Sequence, residues 1–208
     1  MINLNLYISK FIPFTQVEGP GNRACIQVQG CSIHCAGCAV PHTWNKKHGS
    51  IIKINDLITK ILSTPNIEGV TFLGGEPFDQ AKQLAVIGRE VKKKGLSVMT
   101  FTGYNLSEII ELNDPDHKDL LSVTDLLIDG PFLETKKDFS RPWVGSTNQR
   151  FHFLTPHYVH LREELHSIKN KIEVRLNLDG CISINGLIPI EEIKALVNCN
   201  IIAKSDHT

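Results

Sequence analysis

Short apolar stretches alternate with helix-period stretches along most of this chain, and each apolar stretch runs into a loop rich in glycine, cysteine or acidic residues. Residues 24–29 read as a strand entering a cysteine loop, 70–73 as a buried strand ending at Gly74-Gly75, 96–101 as a strand before Thr102-Gly103-Tyr104, and 124–128 as a strand before Asp129-Gly130-Pro131. Between them, 55–62 carries Leu57, Ile58, Ile61 and Leu62 on one helical face. Residues 78–94 carry Phe78, Ala81, Leu84, Ala85, Gly88 and Val91 on one stripe closed by Gly95, and 105–112 reads as a third helix. Strands separated by helices pair in parallel through right-handed crossovers, in a sheet that is open or curled into part of a barrel. Ligands of such sheets sit at the carboxyl ends of the strands. The four loops are therefore expected to meet at one edge.

Beyond about residue 155 the pattern changes. Residues 158–168 and 190–197 read as helices, and 171–178 joins 181–184 through Asp179-Gly180 as a hairpin. The expected organisation is a core of residues 1–155 with an extension, 156–208, packed on it. With 208 residues, the chain is long enough for one such core.

The cysteine loop carries the chemistry. Cys31, Cys35 and Cys38 fall within eight residues, so one loop presents three thiols to one inorganic centre. A four-iron cluster normally takes four cysteines, and three leave one iron open for a substrate. Zinc completed by His34 or His42 is an alternative, which would make the chain a non-enzymatic binding module. Three core cysteines are a further one, disfavoured by Gly30, Ser32, His34, Gly37 and Pro41 around them. Cys25 lies within a strand and reads as core, while Cys181 and Cys199 lack the spacing of a second cluster.

Twenty-two basic residues balance twenty-two acidic ones, so no global field points to nucleic acid or an anionic membrane. The run Lys92-Lys93-Lys94 at a helix end reads as a complement to the helix dipole that meets water. The first fourteen residues are broken by Asn3, Asn5 and Lys10 and carry no cleavage signal, and no run reaches the roughly 18 apolar residues of a membrane span. A cytoplasmic protein with reduced thiols is expected.

Several runs together carry a family resemblance. They are Gly19-Pro20-Gly21-Asn22-Arg23, the cysteine loop, Pro41-His42-Thr43-Trp44, Gly74-Gly75-Glu76-Pro77, Thr102-Gly103-Tyr104, the stretch from Asp125 to Phe132, and Gly145-Ser146-Thr147-Asn148-Gln149-Arg150. In this order, over about residues 14–154, the sequence resembles the radical S-adenosylmethionine superfamily and, within it, the activating enzymes of anaerobic ribonucleotide reductase. The resemblance implies an α/β fold, a partial (β/α)6-type barrel of parallel strands with a C-terminal helix-hairpin extension. It also implies a [4Fe-4S] cluster on Cys31, Cys35 and Cys38, with S-adenosylmethionine on the fourth iron, and a partner that receives a glycyl radical. Reduced flavodoxin is the implied electron donor. Another protein or peptide as target stays open, since 156–208 exceeds the compact members.

Candidate cofactor contacts are Gly37, Cys38, Ala39, Gly74, Gly75, Glu76, Pro77, Thr102, Asp129 and Asn148. Gly37 replaces the aromatic common before the third cysteine and exposes backbone toward the adenine. Two glycines at a strand end let backbone approach a ligand, and the Glu76 carboxylate suits the methionyl ammonium; an ordinary turn with Pro77 at the first helical position is the alternative, disfavoured by the cysteine loop upstream. Asp129 and Thr102 read as contacts or as caps, and the Gly145–Arg150 run as a cofactor or partner loop or a surface turn. Trp44 shields the cluster or packs beneath its loop.

Overall fold

The computed structural model describes residues 4–176, 180, 182–187 and 192. A seven-stranded sheet forms from β1 (Asn5–Thr15), β2 (Arg23–Val28), β3 (Ser50–Lys53), β4 (Gly69–Gly74), β5 (Ser97–Phe101), β6 (Leu126–Asp129) and β7 (Arg150–Phe153), in the order β3-β1-β2-β4-β5-β6-β7. The four central strands β2, β4, β5 and β6 are parallel, as their spacing predicts. The expectation of a wholly parallel sheet needs correction at the edges. β1 runs antiparallel to both β2 and β3, and β7 antiparallel to β6. The physical reason is connection length: β1 reaches β2 through a turn of seven residues, too short for a helical crossover.

Helices α1 (Ile54–Leu62), α2 (Ala81–Lys92), α3 (Leu106–Leu112) and α4 (Pro115–Val123) link the parallel strands. Strand alternation sorts the apolar residues into two cores. Ile26, Phe72, Val98 and Leu127 pack against Leu57, Leu84, Ile109 and Leu120 of the helices. Met99, Leu126 and Ile128 face the other way, onto Val144, Tyr158 and Leu161. The stretch 78–94 is not one helix: Pro77–Gln80 forms a 3-10 turn before α2. Proline at the start supplies no amide, and Glu76 caps the turn by accepting from the Phe78 N–H at 2.9 Å.

Lys92 does more than meet water. Its ammonium stands 2.6 Å from Asp125, a buried carboxylate that also accepts from the Val98 amide, so the end of α2 is tied to β5 and β6. After β7, the helix expected over 158–168 shrinks to α5 (Leu161–Glu164). β8 (Ile172–Leu176) and β9 (Ile182–Gly186) pair antiparallel. The pair is held to the core where Glu173 accepts from Thr15 Oγ1 at 3.0 Å and the Gln16 amide at 2.7 Å. The helix expected over 190–197 falls outside the described residues apart from Glu192, as do Cys181 and Cys199. Among the described residues no helix is long and apolar enough to cross a membrane.

Candidate functional site

The chain leaves β2 at Val28 and is strapped before it turns. Gly30 N–H donates to Thr43 O at 2.7 Å and Cys31 N–H to Trp44 O at 3.1 Å, so the residues after the cysteine loop fasten its entrance. Two left-handed residues, His34 (φ 53°) and Gly37 (φ 77°), fold the loop back on itself. Asp79, from the turn after Glu76, grips Ser32 by amide and hydroxyl at 2.8 and 2.7 Å, and the Tyr104 hydroxyl lies 2.8 Å from the same Ser32 Oγ. Three loops that are far apart in sequence are thereby bonded to one another.

They surround a cavity of about 830 Å³ whose wall includes all three cysteines, Gly37, Ala39, Gly74, Gly75, Glu76, Pro77 and Thr102. That volume is within the ordinary range for small-molecule sites. All four strand-end loops reach the cavity, the last through Gly130. Asp129 and Asn148 do not line it. Asp129 is fully buried, accepts from the Leu106 amide at 2.7 Å and from Arg150 at 2.8 and 3.1 Å, and lies 3.0 Å from His152. Against the cost of burial, the hydrogen bonds from Arg150, Leu106 and His152 prevail and hold its carboxyl below the usual range. Asn148 donates to Pro131 O at 2.7 Å, fastening its own loop.

Sequence reasoning missed the far wall. Phe132, Glu134, Lys137, Phe139 and Trp143 line the cavity from the segment after β6, and Ile184 and Gly186 line it from the hairpin. Phe132 stood in the family pattern without a role, and the others carry no local signal, because only the return of the chain places them there. The 145–150 run, left open between cofactor loop and surface turn, contributes Gly145 and Gln149.

The glycine pair also has a packing reason. A Cβ on Gly75 would stand 2.0 Å from Gly30 O, and one on Gly74, at φ 111°, 2.6 Å from Val28 N. The crowding group is this chain's own backbone, where the cysteine loop begins. Gly75→Ala is accordingly expected to cost about 1–3 kcal/mol by overpacking and to lower the iron content after reconstitution, measured by denaturant unfolding and metal analysis.

Glu76 is 1 % exposed, and its oxygens accept from Phe78 N–H, Thr102 Oγ1 at 2.8 Å and Gly103 N–H at 2.8 Å. All three donors are neutral. Burial therefore wins over the hydrogen bonds and pushes the carboxyl up to about 7. Because this value is raised above the ordinary 4.5, the carboxyl's contribution to stability is complete below pH 4.5 and is lost as pH rises through 7. Relative to Glu76→Gln, the wild-type apoprotein is expected to lose about 3 kcal/mol across that window, read from denaturant unfolding at pH 4.5 to 8. The amide cannot accept from Gly103 through its NH2, but that offset does not vary with pH.

Burial also raises the Cys31 and Cys35 thiols. A metal centre reverses this by binding the thiolate form. Among the described residues no three His, Cys, Asp or Glu side chains converge on a single-ion position. A four-iron cube asks for something else, with each thiolate on its own iron. The residues fit that group with a cationic ligand beside it: three thiols on one loop, a cavity for the ligand, and a buried carboxylate whose donors leave its charge unbalanced.

A family model described as a 4Fe-4S single cluster domain matches residues 17–152. The anaerobic ribonucleoside-triphosphate reductase-activating protein of Vibrio cholerae is 32% identical over 154 residues, 70% of this chain and 97% of that protein. The chain belongs to this reductase-activating protein family. The protein of the same name from Enterobacteria phage T4 is 31% identical over 68% of this chain and 90% of its own. A Haemophilus influenzae protein named as a candidate glycyl-radical enzyme activating enzyme is 28% identical over 90% of this chain and 68% of its own. The resemblance carried by the cysteine loop and the strand-end motifs is thus borne out at the level of the family, and with it the iron-sulfur character of the site.

Proposed function

We propose that the protein is a radical S-adenosylmethionine activating enzyme that installs a glycyl radical on an anaerobic ribonucleotide reductase. The observation that carries this is the shared cavity wall, in a member of this family, of Cys31, Cys35 and Cys38 and the buried carboxylate of Glu76. When bound, the cluster supplies one electron to the sulfonium of S-adenosylmethionine, and with it the 5′-deoxyadenosyl radical that takes a hydrogen atom from a glycine of the partner. The chain's own part is to hold and to orient. Cys31, Cys35 and Cys38 would ligate the cluster. Glu76 accepts the methionyl ammonium while Thr102 and Gly103 fix its oxygens, and the glycines at 37, 74 and 75 bring backbone to the ligand. Phe132, Phe139 and Trp143 keep water from the cavity. Asp129 acts behind the site, tying β6 to α3 and β7.

The same reading includes the partial (β/α)6-type barrel, with residues 1–155 as the catalytic domain and 156–208 as an extension. Reduced flavodoxin is the proposed electron donor and the cytoplasm the proposed compartment. A second target remains in view on one observation: the hairpin walls the cavity, whereas the match to the compact Vibrio cholerae relative covers 70% of this chain. The test is anaerobic reconstitution, reduction and addition of S-adenosylmethionine and the reductase. The doublet of a glycyl radical in the electron paramagnetic resonance spectrum supports the proposal. Cofactor cleavage without that doublet favours the second target, and stoichiometric zinc without iron overturns both.

A further inference from the structure

Past Cys31 the cysteine loop is fastened by side chains. Backbone secures its base, where the Glu76 amide donates to Gly30 O at 2.8 Å. Beyond it, the Asp79 carboxylate accepts from the Ser32 amide at 2.8 Å and from the Ser32 hydroxyl at 2.7 Å, and the Tyr104 hydroxyl stands 2.8 Å from the same Ser32 Oγ. Both partners belong to turns that also hold Glu76. The Asp79 amide donates to Glu76 O at 3.1 Å, while Thr102 Oγ1 and the Gly103 amide donate to the two Glu76 side-chain oxygens. Thr102 Oγ1 in turn accepts from the Tyr104 amide at 3.1 Å. A closed ring of contacts therefore runs from Ser32 through Asp79, Glu76, Thr102 and Tyr104 back to Ser32.

Ser32 is exposed, so water would satisfy its polar groups, and the fold does not need these partners for that. A charged acceptor that meets two donors of one residue is, however, a firmer tie than a neutral one. What the ring fixes is the spacing between Cys31 and Glu76. In the proposed function S-adenosylmethionine reaches the cluster's open iron and Glu76 together, and a ligand with two anchors binds more tightly when their spacing is set in advance. We propose that Ser32, Asp79 and Tyr104 are positioning residues that hold the cysteine loop at the distance from Glu76 that S-adenosylmethionine spans. The inference rests on the family reading of that site.

The test uses Ser32→Ala, Tyr104→Phe, the double variant and the conservative Ser32→Thr, each reconstituted anaerobically beside wild type. S-adenosylmethionine is titrated into the reduced protein, and its binding is read from the change it causes in the cluster's electron paramagnetic resonance spectrum. With iron and sulfide content kept, Ser32→Ala is expected to bind about tenfold more weakly, and Ser32→Thr, which retains the hydroxyl, near wild type. The double variant is expected to match Ser32→Ala, because Tyr104 acts through the hydroxyl already removed. Wild-type affinity in Ser32→Ala overturns the inference, as does a double variant in which the two losses add. So does loss of iron from Ser32→Ala, since the serine would then serve cluster assembly and not spacing. Wild-type protein that assembles no iron and sulfide, or whose cluster does not respond to S-adenosylmethionine, fails earlier and overturns the family reading of the site together with this one.

Discussion

Alanine at any one of Cys31, Cys35 and Cys38 is expected to abolish cluster assembly and, with it, reductive cleavage of S-adenosylmethionine. Each thiolate would bind a separate iron, and the fourth iron already lacks a cysteine. A second iron without protein ligand leaves the cluster held at two corners of a solvent-facing loop. Reconstituted variants are expected to show iron and sulfide near background, no visible iron–sulfur absorption and no cleavage product. Stability is expected to change little, within about 1 kcal/mol, because the three side chains are half-exposed and lie outside both apolar cores. Full cleavage activity in any of the three would remove the site from this loop.

The largest stability loss is expected at the opposite end of the sheet. Arg23 opens β2, five residues before Val28, or roughly 16 Å from the strand's carboxyl end. It is completely buried, and its guanidinium donates to Thr71 Oγ1 at 2.7 Å, Val70 O at 2.6 Å, Tyr158 OH at 2.6 Å, and Pro20 O and Ser97 Oγ at 3.1 Å. No carboxylate is among these acceptors, and burial lowers its pKa. The charge is carried by a shell of dipoles that ties β2, β4, β5 and the segment after β7 together. Arg23→Ala leaves those acceptors unpaired around a large void, and a loss of about 3–5 kcal/mol is expected in denaturant unfolding. Arg23→Lys is expected to recover only part of it, because an ammonium cannot reach five acceptors in a fork. The fraction that stays folded should still bind the cluster, which separates this scaffold role from the chemistry.

The Arg23 result also shows where sequence reading reaches its limit. Gly19 to Arg23 was part of the family pattern, and the fold places its arginine outside the cavity wall, as a brace. The parallel strands and three linking helices were legible because burial on both faces and helix-period stripes are local signals. β1 was not, since Asn5 and Lys10 interrupt its apolar residues and it lies between β2 and β3 with one side partly open. α4 was not read, although its start carries a cap: Pro115 follows Asp114, which accepts from the Asp116 and His117 amides. The Arg-Phe-His-Phe alternation of β7 was hidden by the polar run before it. Its pairing with β6 places Arg150 opposite Asp129, and this turns a carboxylate expected at the cofactor into a structural anchor.

What the sequence determined by itself was the chemistry: three cysteines on one loop, an acidic residue after a glycine pair, and strand ends that gather them. Those follow from spacing, because one short stretch can present several ligands to one centre and the carboxyl ends of parallel strands gather at one edge of the sheet. Only the tertiary structure decided which polar strand-end residues face the cavity. Glu76 and Asp129 are both buried carboxylates at carboxyl ends of parallel strands. Glu76 receives only neutral donors and opens to the cavity, whereas Asp129 meets Arg150 from an antiparallel neighbour. The difference lies in a partner that comes to Asp129 from twenty-one residues along the chain, and no local pattern contains it.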